Sequence, residues 1–274
     1  MSEAKTILVT GASSGVGQAV AAKFAREGWN VVASMRNPEV HPHSTIKNVT
    51  TMKMDVTVKS SISDAVAEIQ TKFGNIDLLI NNAGYGEFGV FEGISDERIR
   101  ANFDVNVFGV MDVMRSVIPL MRQRRSGTII NVSSGGGIIG LPSTAVYLST
   151  KFALEGFTES IWYELDAVGI RAKLVEPGGI ETPFIQKIAG QAARNAAPLE
   201  YAQYQARISK RMGELNWKRS TADEIAEVVW GAATDESSQL RYFYGPGIAH
   251  LIASRRTAGE PEYERTIRGE FGYA

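Results

Sequence analysis

The chain has 274 residues, 44% of them hydrophobic and 22% charged, and 29 Lys and Arg against 30 Asp and Glu leave a formal charge of −1. That length supports a large core in one α/β domain or two, and the near-neutral balance gives no general attraction for nucleic acid or an anionic membrane. Cysteine is absent, which excludes disulfides, thiolate metal sites and cysteine nucleophiles, and His41, His43 and His250 lack the spacing of a metal site.

Residues 1–5 lead straight into an apolar run at residues 6–9, which leaves no room for a signal peptide. With no run of about 18 apolar residues to span a membrane, a soluble, cytoplasmic chain is expected. The run at 6–9 reads as a buried strand. It ends in Thr10-Gly11-Ala12-Ser13-Ser14-Gly15-Val16-Gly17, and residues 18–27 then have helical spacing. Strand, glycine turn and helix in succession are the context in which glycines mean phosphate binding. The helix N-terminus supplies free N–H groups and a positive dipole end, and glycines let a pyrophosphate approach the backbone. The spacing is G-x-x-x-G-x-G, a wider turn than G-x-G-x-x-G with the same physics; a plain βα turn of small residues is the alternative.

Residues 31–35 read as the second strand. Dinucleotide-binding units place an acid about 20 positions past the glycines to accept hydrogen bonds from the adenosine ribose. Here the region reads Ser34-Met35-Arg36, with no acid before Glu39. An arginine there pairs with a 2′-phosphate, which favours NADP(H) over NAD(H), unless Arg36 stacks on the adenine or points to solvent. A third strand at 50–54 ends at Asp55-Val56, where the carboxylate fits either the adenine edge or a cap for the helix at 59–73. A fourth strand at 76–80 is followed by Asn81-Asn82-Ala83-Gly84, small residues at a strand end where a cofactor can approach closely. Residues 95–125 form a long amphipathic helical region. Asn106, with Gly109 nearby, is unfavourable in a helix interior, so it is there for a function or to bend the helix.

Residues 128–132 are a β-branched strand, followed by Ser133, Ser134 and the turn Gly135-Gly136-Gly137. Tyr147 and Lys151 then head a helix that runs to residue 168 and is stopped by Gly169. Positions i and i+4 share a helix face, so the Lys151 ammonium sits near the Tyr147 hydroxyl. A free phenol titrates near a pH of about 10, and a fixed positive charge favours the phenolate and makes it a usable acid or base. Such a pair also occurs as a packed ring and a solvated charge; the upstream motifs give it weight here. A sixth strand at 171–176 is ended by Pro177-Gly178-Gly179-Ile180-Glu181-Thr182. The alternation of strand and helix with short turns predicts an α/β fold, a single-domain doubly wound parallel sheet over residues 1–274 with helices on both faces.

Taken together these residues resemble the short-chain dehydrogenase/reductase family over roughly residues 5–185, with its final helix and strand at 222–234 and 240–244. The matching pieces are TGASSGVG at residues 10–17, NNAG at 81–84, Asn106, Ser134, Tyr147-x-x-x-Lys151 and Pro177-Gly178, in this order and spacing. The resemblance implies a Rossmann-type fold and a mechanism. Tyr147 exchanges the proton with a carbonyl or alcohol oxygen as hydride passes to or from the nicotinamide. Lys151 holds the nicotinamide ribose and lowers the tyrosine pKa. Ser134, placed 13 residues before the tyrosine as in the family, polarises the substrate oxygen. Asn106 bends its helix and holds a water in a proton relay.

Cofactor contacts are implied at Gly11, Ser13, Ser14, Gly15, Val16, Gly17, Arg36, Asp55, Val56, Asn82, Ala83 and Gly84, and again at Tyr147, Lys151, Pro177 and Gly178. Ile180 and Thr182 would meet the nicotinamide carboxamide. Met35 stands where NAD-preferring members carry an acid, with Arg36 beside it as in many NADP-preferring ones. A homodimer or homotetramer through helices like those at 95–125 and 147–168 is implied as well.

Residues 183–219 correspond to the family's substrate lid and hold Phe184, Ile185, Ile188, Tyr201, Tyr204, Met212, Leu215 and Trp217. They suit a hydrophobic or aromatic carbonyl compound, or else pack helices on the sheet. Tyr85 and Phe88 are placed to line the same pocket. Gly135-Gly136-Gly137 is expected to be bare and mobile. The tail at 248–274 matches no motif and is expected on a neighbouring subunit or over the substrate mouth. The rival readings are an NADP(H)-binding sensor without turnover and a nicotinamide-dependent epimerase or dehydratase on the same scaffold.

Overall fold

The computed structural model describes residues 4–39, 46–181 and 197–273. His41, His43, Thr182, Phe184, Ile185 and Ile188 lie outside the described residues. Seven strands, β1 (Thr6–Thr10), β2 (Asn30–Met35), β3 (Val49–Lys53), β4 (Leu78–Asn81), β5 (Thr128–Val132), β6 (Arg171–Pro177) and β7 (Arg241–Tyr244), make one sheet. Its order is β3-β2-β1-β4-β5-β6-β7, and every neighbouring pair is parallel. The helices among the described residues are α1 (Gly15–Arg26), α2 (Lys59–Phe73), α3 (Asp96–Phe103), α4 (Gly109–Arg124) and α5 (Ala145–Asp166). They continue with α6 (Ala202–Glu214), α7 (Ala222–Thr234), α8 (Ala249–Ala253) and α9 (Glu260–Glu270).

Successive strand side chains point to opposite faces, so each strand feeds two cores. Ile7 and Val9 join one with α1 and α7; Leu8 joins the other with α2, α4 and α5. This double burial is why the strands read as unbroken apolar runs. Chain order reverses between β1 and β4, and the C-terminal edge at that reversal is where open α/β sheets hold ligands.

Two elements differ from expectation for visible reasons. The fourth strand starts at Leu78, two residues later than expected; Asp77 before it accepts the Thr6 N–H on its carboxylate at 2.8 Å while its own N–H donates to the Thr6 carbonyl at 2.8 Å. The region at 95–125 is broken into α3 and α4 by a π turn at Asp104–Phe108, which carries Asn106. Gly109 follows it because a Cβ there would stand 2.9 Å from Val56 Cγ2 and 3.0 Å from the Val56 carbonyl. The two residues that looked out of place in a helix are thus the bend and its close contact.

The C-terminal segment folds as α8, a π turn at Ser254–Ala258 and α9, and packs on its own chain. Ile248, Leu251, Ile252 and Tyr263 form a core with Ile139. The Tyr263 hydroxyl accepts from Gly140 N at 2.9 Å and donates to Gly140 O at 3.2 Å. The segment therefore backs the loop that follows Ser134. Among the described residues no helix is long and apolar enough to cross a membrane.

Candidate active site

Side chains tie the ends of β1 and β4 into one surface. Thr10 Oγ1 accepts from the N–H groups of Asn82 and Ala83, each at 3.0 Å. Asn82 Nδ2 donates to the carbonyls of Thr10 and Gly11 at 3.0 and 3.1 Å. Gly11 turns with φ +65°, and a Cβ on it would stand 2.7 Å from Ala83 Cα. On Gly17 a Cβ would meet Asn82 Nδ2 at 2.4 Å and the Gly11 carbonyl at 2.5 Å. Both glycines serve close approach of the turn to Asn82-Ala83-Gly84. Ser13 and Ser14 are exposed on its outer side. Ser14 is the extended N-cap of α1 and makes no side-chain cap hydrogen bond; the first turn, Gly15-Val16-Gly17, opens a helix with no acid in that turn. The leading N–H groups and positive dipole end of α1 are thereby presented to an anion.

At the C-terminal end of β2, on the same edge of the sheet, Met35 is buried and Arg36 is exposed. Asp55 closes the turn ahead of α2, whose N-cap is Val58: Oδ1 accepts from Thr57 N at 2.9 Å and Thr57 Oγ1 at 2.7 Å, and its N–H donates to Ser61 Oγ at 3.0 Å. The hydrogen bond from the Thr57 backbone, then its hydroxyl and the Arg36 charge, hold the carboxyl below its ordinary value, against a desolvation that raises it. Val56 is buried against Gly109.

Asn106, Ser134, Tyr147 and Lys151 meet at the ends of β4 and β5. The buried Asn106 pins two segments together. Its Oδ1 accepts from Tyr85 N at 3.1 Å, and its Nδ2 donates to Tyr85 O at 2.9 Å and to Thr150 Oγ1 at 3.0 Å. Tyr147 shares a hydrogen bond with Ser134, whose Oγ also accepts from Gly136 N at 3.0 Å. Lys151 Nζ donates to the Val132 carbonyl at 2.9 Å and lies 5.8 Å from the centre of the Tyr147 ring. The Phe88 ring stacks at 5.3 Å from the same centre, tilted by 30°. Pro177, Gly178 and Ile180 stand at the β6 end of this edge. Gly178 N bonds Tyr244 O at 2.9 Å, and Ile180 bridges to Ser220.

Burial corrects one electrostatic expectation. Desolvation pushes the Tyr147 phenol up to about 12, with only the Ser134 hydrogen bond pulling it down. Lys151, desolvated too, falls to about 8, and the charge of Glu155 opposes the fall. Being buried weighs more here than the i, i+4 proximity that suggested a lowered tyrosine. The expected bare loop is also filled: Gly135, Gly136 and Gly137 are all buried, and a Cβ on Gly136 would stand 2.3 Å from Leu148 Cδ2.

Sequence reasoning missed Thr10 and Thr150, whose roles appear only once β4 and α5 are placed beside them. It also missed Glu155, Glu176 and Arg241. A glutamate buried near the end of β6, next to Pro177, was the available signal.

Comparison with known proteins agrees with this geometry. The family model described as short chain dehydrogenase matches residues 5–193. A 3-ketodihydrosphingosine reductase of Bacteroides thetaiotaomicron is 38% identical over 190 residues, covering 68% of this chain and 69% of that protein. A short-chain dehydrogenase of Streptomyces avermitilis superposes with a TM-score of 0.75 at 27% identity, covering 98% of this chain and 99% of that one. ElxO with NADP bound superposes at 0.73 with 26% identity, covering 88% and 97%. The motifs, the sheet order and these likenesses agree: the chain is an oxidoreductase of Rossmann-type fold and belongs to the short-chain dehydrogenase/reductase family.

Proposed function

We propose that the chain, as one domain, is an NADP(H)-dependent oxidoreductase interconverting a carbonyl and a secondary alcohol on a lipophilic small molecule. The observation that carries this is the Tyr147–Ser134 hydroxyl pair, with buried Lys151 behind it, on the same sheet edge as the uncapped N-terminus of α1.

NADP(H) fits the residues present. The leading N–H groups of α1 suit the pyrophosphate, and the exposed Arg36 guanidinium suits a 2′-phosphate. Asn82, Ala83 and Gly84 would flank the adenosine side, with Lys151 on the nicotinamide ribose and Pro177, Gly178, Ile180 and Thr182 beside the nicotinamide. Bound there, the cofactor supplies or takes up the hydride. Asp55 and Val56 would shape the adenine end from their turn. The NADP bound to ElxO supports the same cofactor here.

Tyr147 is the proton donor or acceptor. A phenol raised to about 12 stays protonated at neutral pH, the form that gives a proton to a developing alkoxide. The keto compound in the name of the Bacteroides relative makes carbonyl compounds the first substrates to offer. Ser134 orients the substrate oxygen, and Asn106 holds the Tyr85 turn against α5 beside a water relay.

A lipophilic substrate is supported by Phe88 beside Tyr147 and by a separate recess of ≈ 450 Å³ starting at Gly89, whose walls are mostly apolar, Val90, Phe91, Tyr201 and Tyr204, with the polar Glu92 and Ser143.

Titrating NADPH and NADH by fluorescence, then offering carbonyl compounds with the tighter binder, tests the reading. Arg36→Asp is expected to weaken NADPH binding by about 10–100-fold, the worth of one charge-assisted hydrogen-bonded pair, without weakening NADH. Equal loss of both nucleotides would remove the 2′-phosphate role.

Assembly as a homodimer or homotetramer is supported by Phe108, Phe152 and Tyr163, large apolar side chains exposed beside or on α4 and α5. Light scattering of the intact chain and of one ending at Gly247 separates this from the tail's role. Both are expected to be oligomeric, with turnover lost only in the shorter. A monomeric intact chain would end the assembly reading, and an active shorter chain the tail's support of the Ser134 loop.

A further inference from the structure

Behind Lys151 lies a buried cluster of charges that the proton-transfer set does not use. Glu155, one turn further along α5, and Glu176 on β6 are 6% and 0% exposed. Arg241 of β7 reaches both: its Nε is 3.2 Å from Glu155 Oε2 and 3.3 Å from Glu176 Oε1, and its Nη2 holds Glu159 at 2.8 Å. Arg256, from the π turn of the C-terminal segment, donates to both Glu176 oxygens at 2.9 and 3.1 Å. Three carboxylates thus face two guanidiniums. The third cation on hand is Lys151, four positions before Glu155 on the same face of α5 and itself buried, whose ammonium feels the Glu155 charge. Lys173, the other buried lysine among the described residues, lies on the opposite face of β6 with Asp235 and Tyr242.

The turn after Ser134 rests on the same carboxylate. A Cβ on Gly137 would stand 2.8 Å from Glu155 Cγ and 2.9 Å from Ser133 Oγ, so no side chain separates that turn from Glu155. We propose that Glu155 is a positioning residue whose buried carboxylate is the counter-charge that keeps Lys151 an ammonium inside the protein. Arg241 holds that carboxylate, and Arg256 holds its neighbour Glu176, so the C-terminal segment contributes to the charge of the reactive centre. A buried ammonium without an opposite charge sheds its proton. A neutral Lys151 would leave the ribose and the tyrosine without the positive charge they are proposed to use.

The proposal rests on the reading of Lys151 as part of the proton-transfer set, and its test reads Lys151 directly. The protein is labelled with carbon-13 at the lysine Cε atoms, the Lys151 resonance is assigned through Lys151→Arg, and its shift is followed against pH without nucleotide. In the wild-type chain the midpoint is expected at about 8, with a second inflection near 7 where Glu155 takes up its proton. Glu155→Gln removes the charge that raises the lysine, so the midpoint should fall by about one unit. The alkaline limb of kcat/KM should move to lower pH with it. Glu155→Asp, which restores the charge, should recover most of that shift, whereas a role in packing alone would leave the titration where it was.

A Glu155→Gln midpoint equal to or above wild type overturns the proposal. So does a wild-type midpoint below about 7, which would leave Lys151 neutral at neutral pH and can be read even if the variant does not fold. Undiminished turnover in Tyr147→Phe would instead sink the catalytic reading and leave this titration unaffected.

Discussion

Tyr147→Phe should lower turnover by about 10²–10⁴-fold, the usual worth of a positioned acid or base, while NADPH affinity stays within about twofold. The substitution removes one oxygen and keeps the ring. That ring is stacked on Phe88 at 5.3 Å and sits on a helix packed in the second core, so the fold has no reason to change. What is lost is the phenol that shares a hydrogen bond with Ser134. KM for the carbonyl compound should rise little, since the interaction removed matters mostly as charge develops on the substrate oxygen. Steady-state kinetics and fluorescence titration on the same preparation decide it. Full turnover would return the chain to its rival readings, above all an epimerase or dehydratase. Loss of nucleotide binding along with turnover would show that Phe has disturbed the cleft rather than the proton transfer.

Much of the fold was legible in the sequence because buried parallel strands write themselves as apolar runs closed by small residues. The runs ending at Thr10, Met35, Asn81 and Val132 needed no contact information, and strand-then-helix alternation allows few arrangements. What escaped depends on distance in space. Asn106 and Gly109 looked anomalous in a helix, but only the approach of Val56 shows why the π turn falls there. Glu155 and Glu176 are 21 positions apart and share Arg241 of β7, with Arg256 of the C-terminal segment added at Glu176, which no local pattern announces. The Tyr147 pKa went the other way for a similar reason: spacing reveals a neighbouring charge but not the desolvation around it.

Gly11→Ala should be the most damaging small change in the nucleotide turn. Alanine at φ +65° costs about 1–2 kcal/mol in backbone strain alone. Its Cβ would in addition stand 2.7 Å from Ala83 Cα and 3.1 Å from Ala83 N, main-chain atoms that cannot rotate away. For Ala83 to yield, the hydrogen bonds that Thr10 Oγ1 accepts from Asn82 and Ala83 must lengthen, at about 1 kcal/mol each. A total loss of about 2–4 kcal/mol in urea unfolding is expected. NADPH affinity should fall by at least about tenfold, because the N–H groups of α1 move with the turn. Gly28→Ala is the control: φ is +82° there too, yet nothing stands within 4 Å of the added carbon, so only the strain should appear. If both variants lose the same stability and both keep NADPH, the close approach of β1 to β4 carries no weight, and the anion-binding role of the glycine turn falls with it.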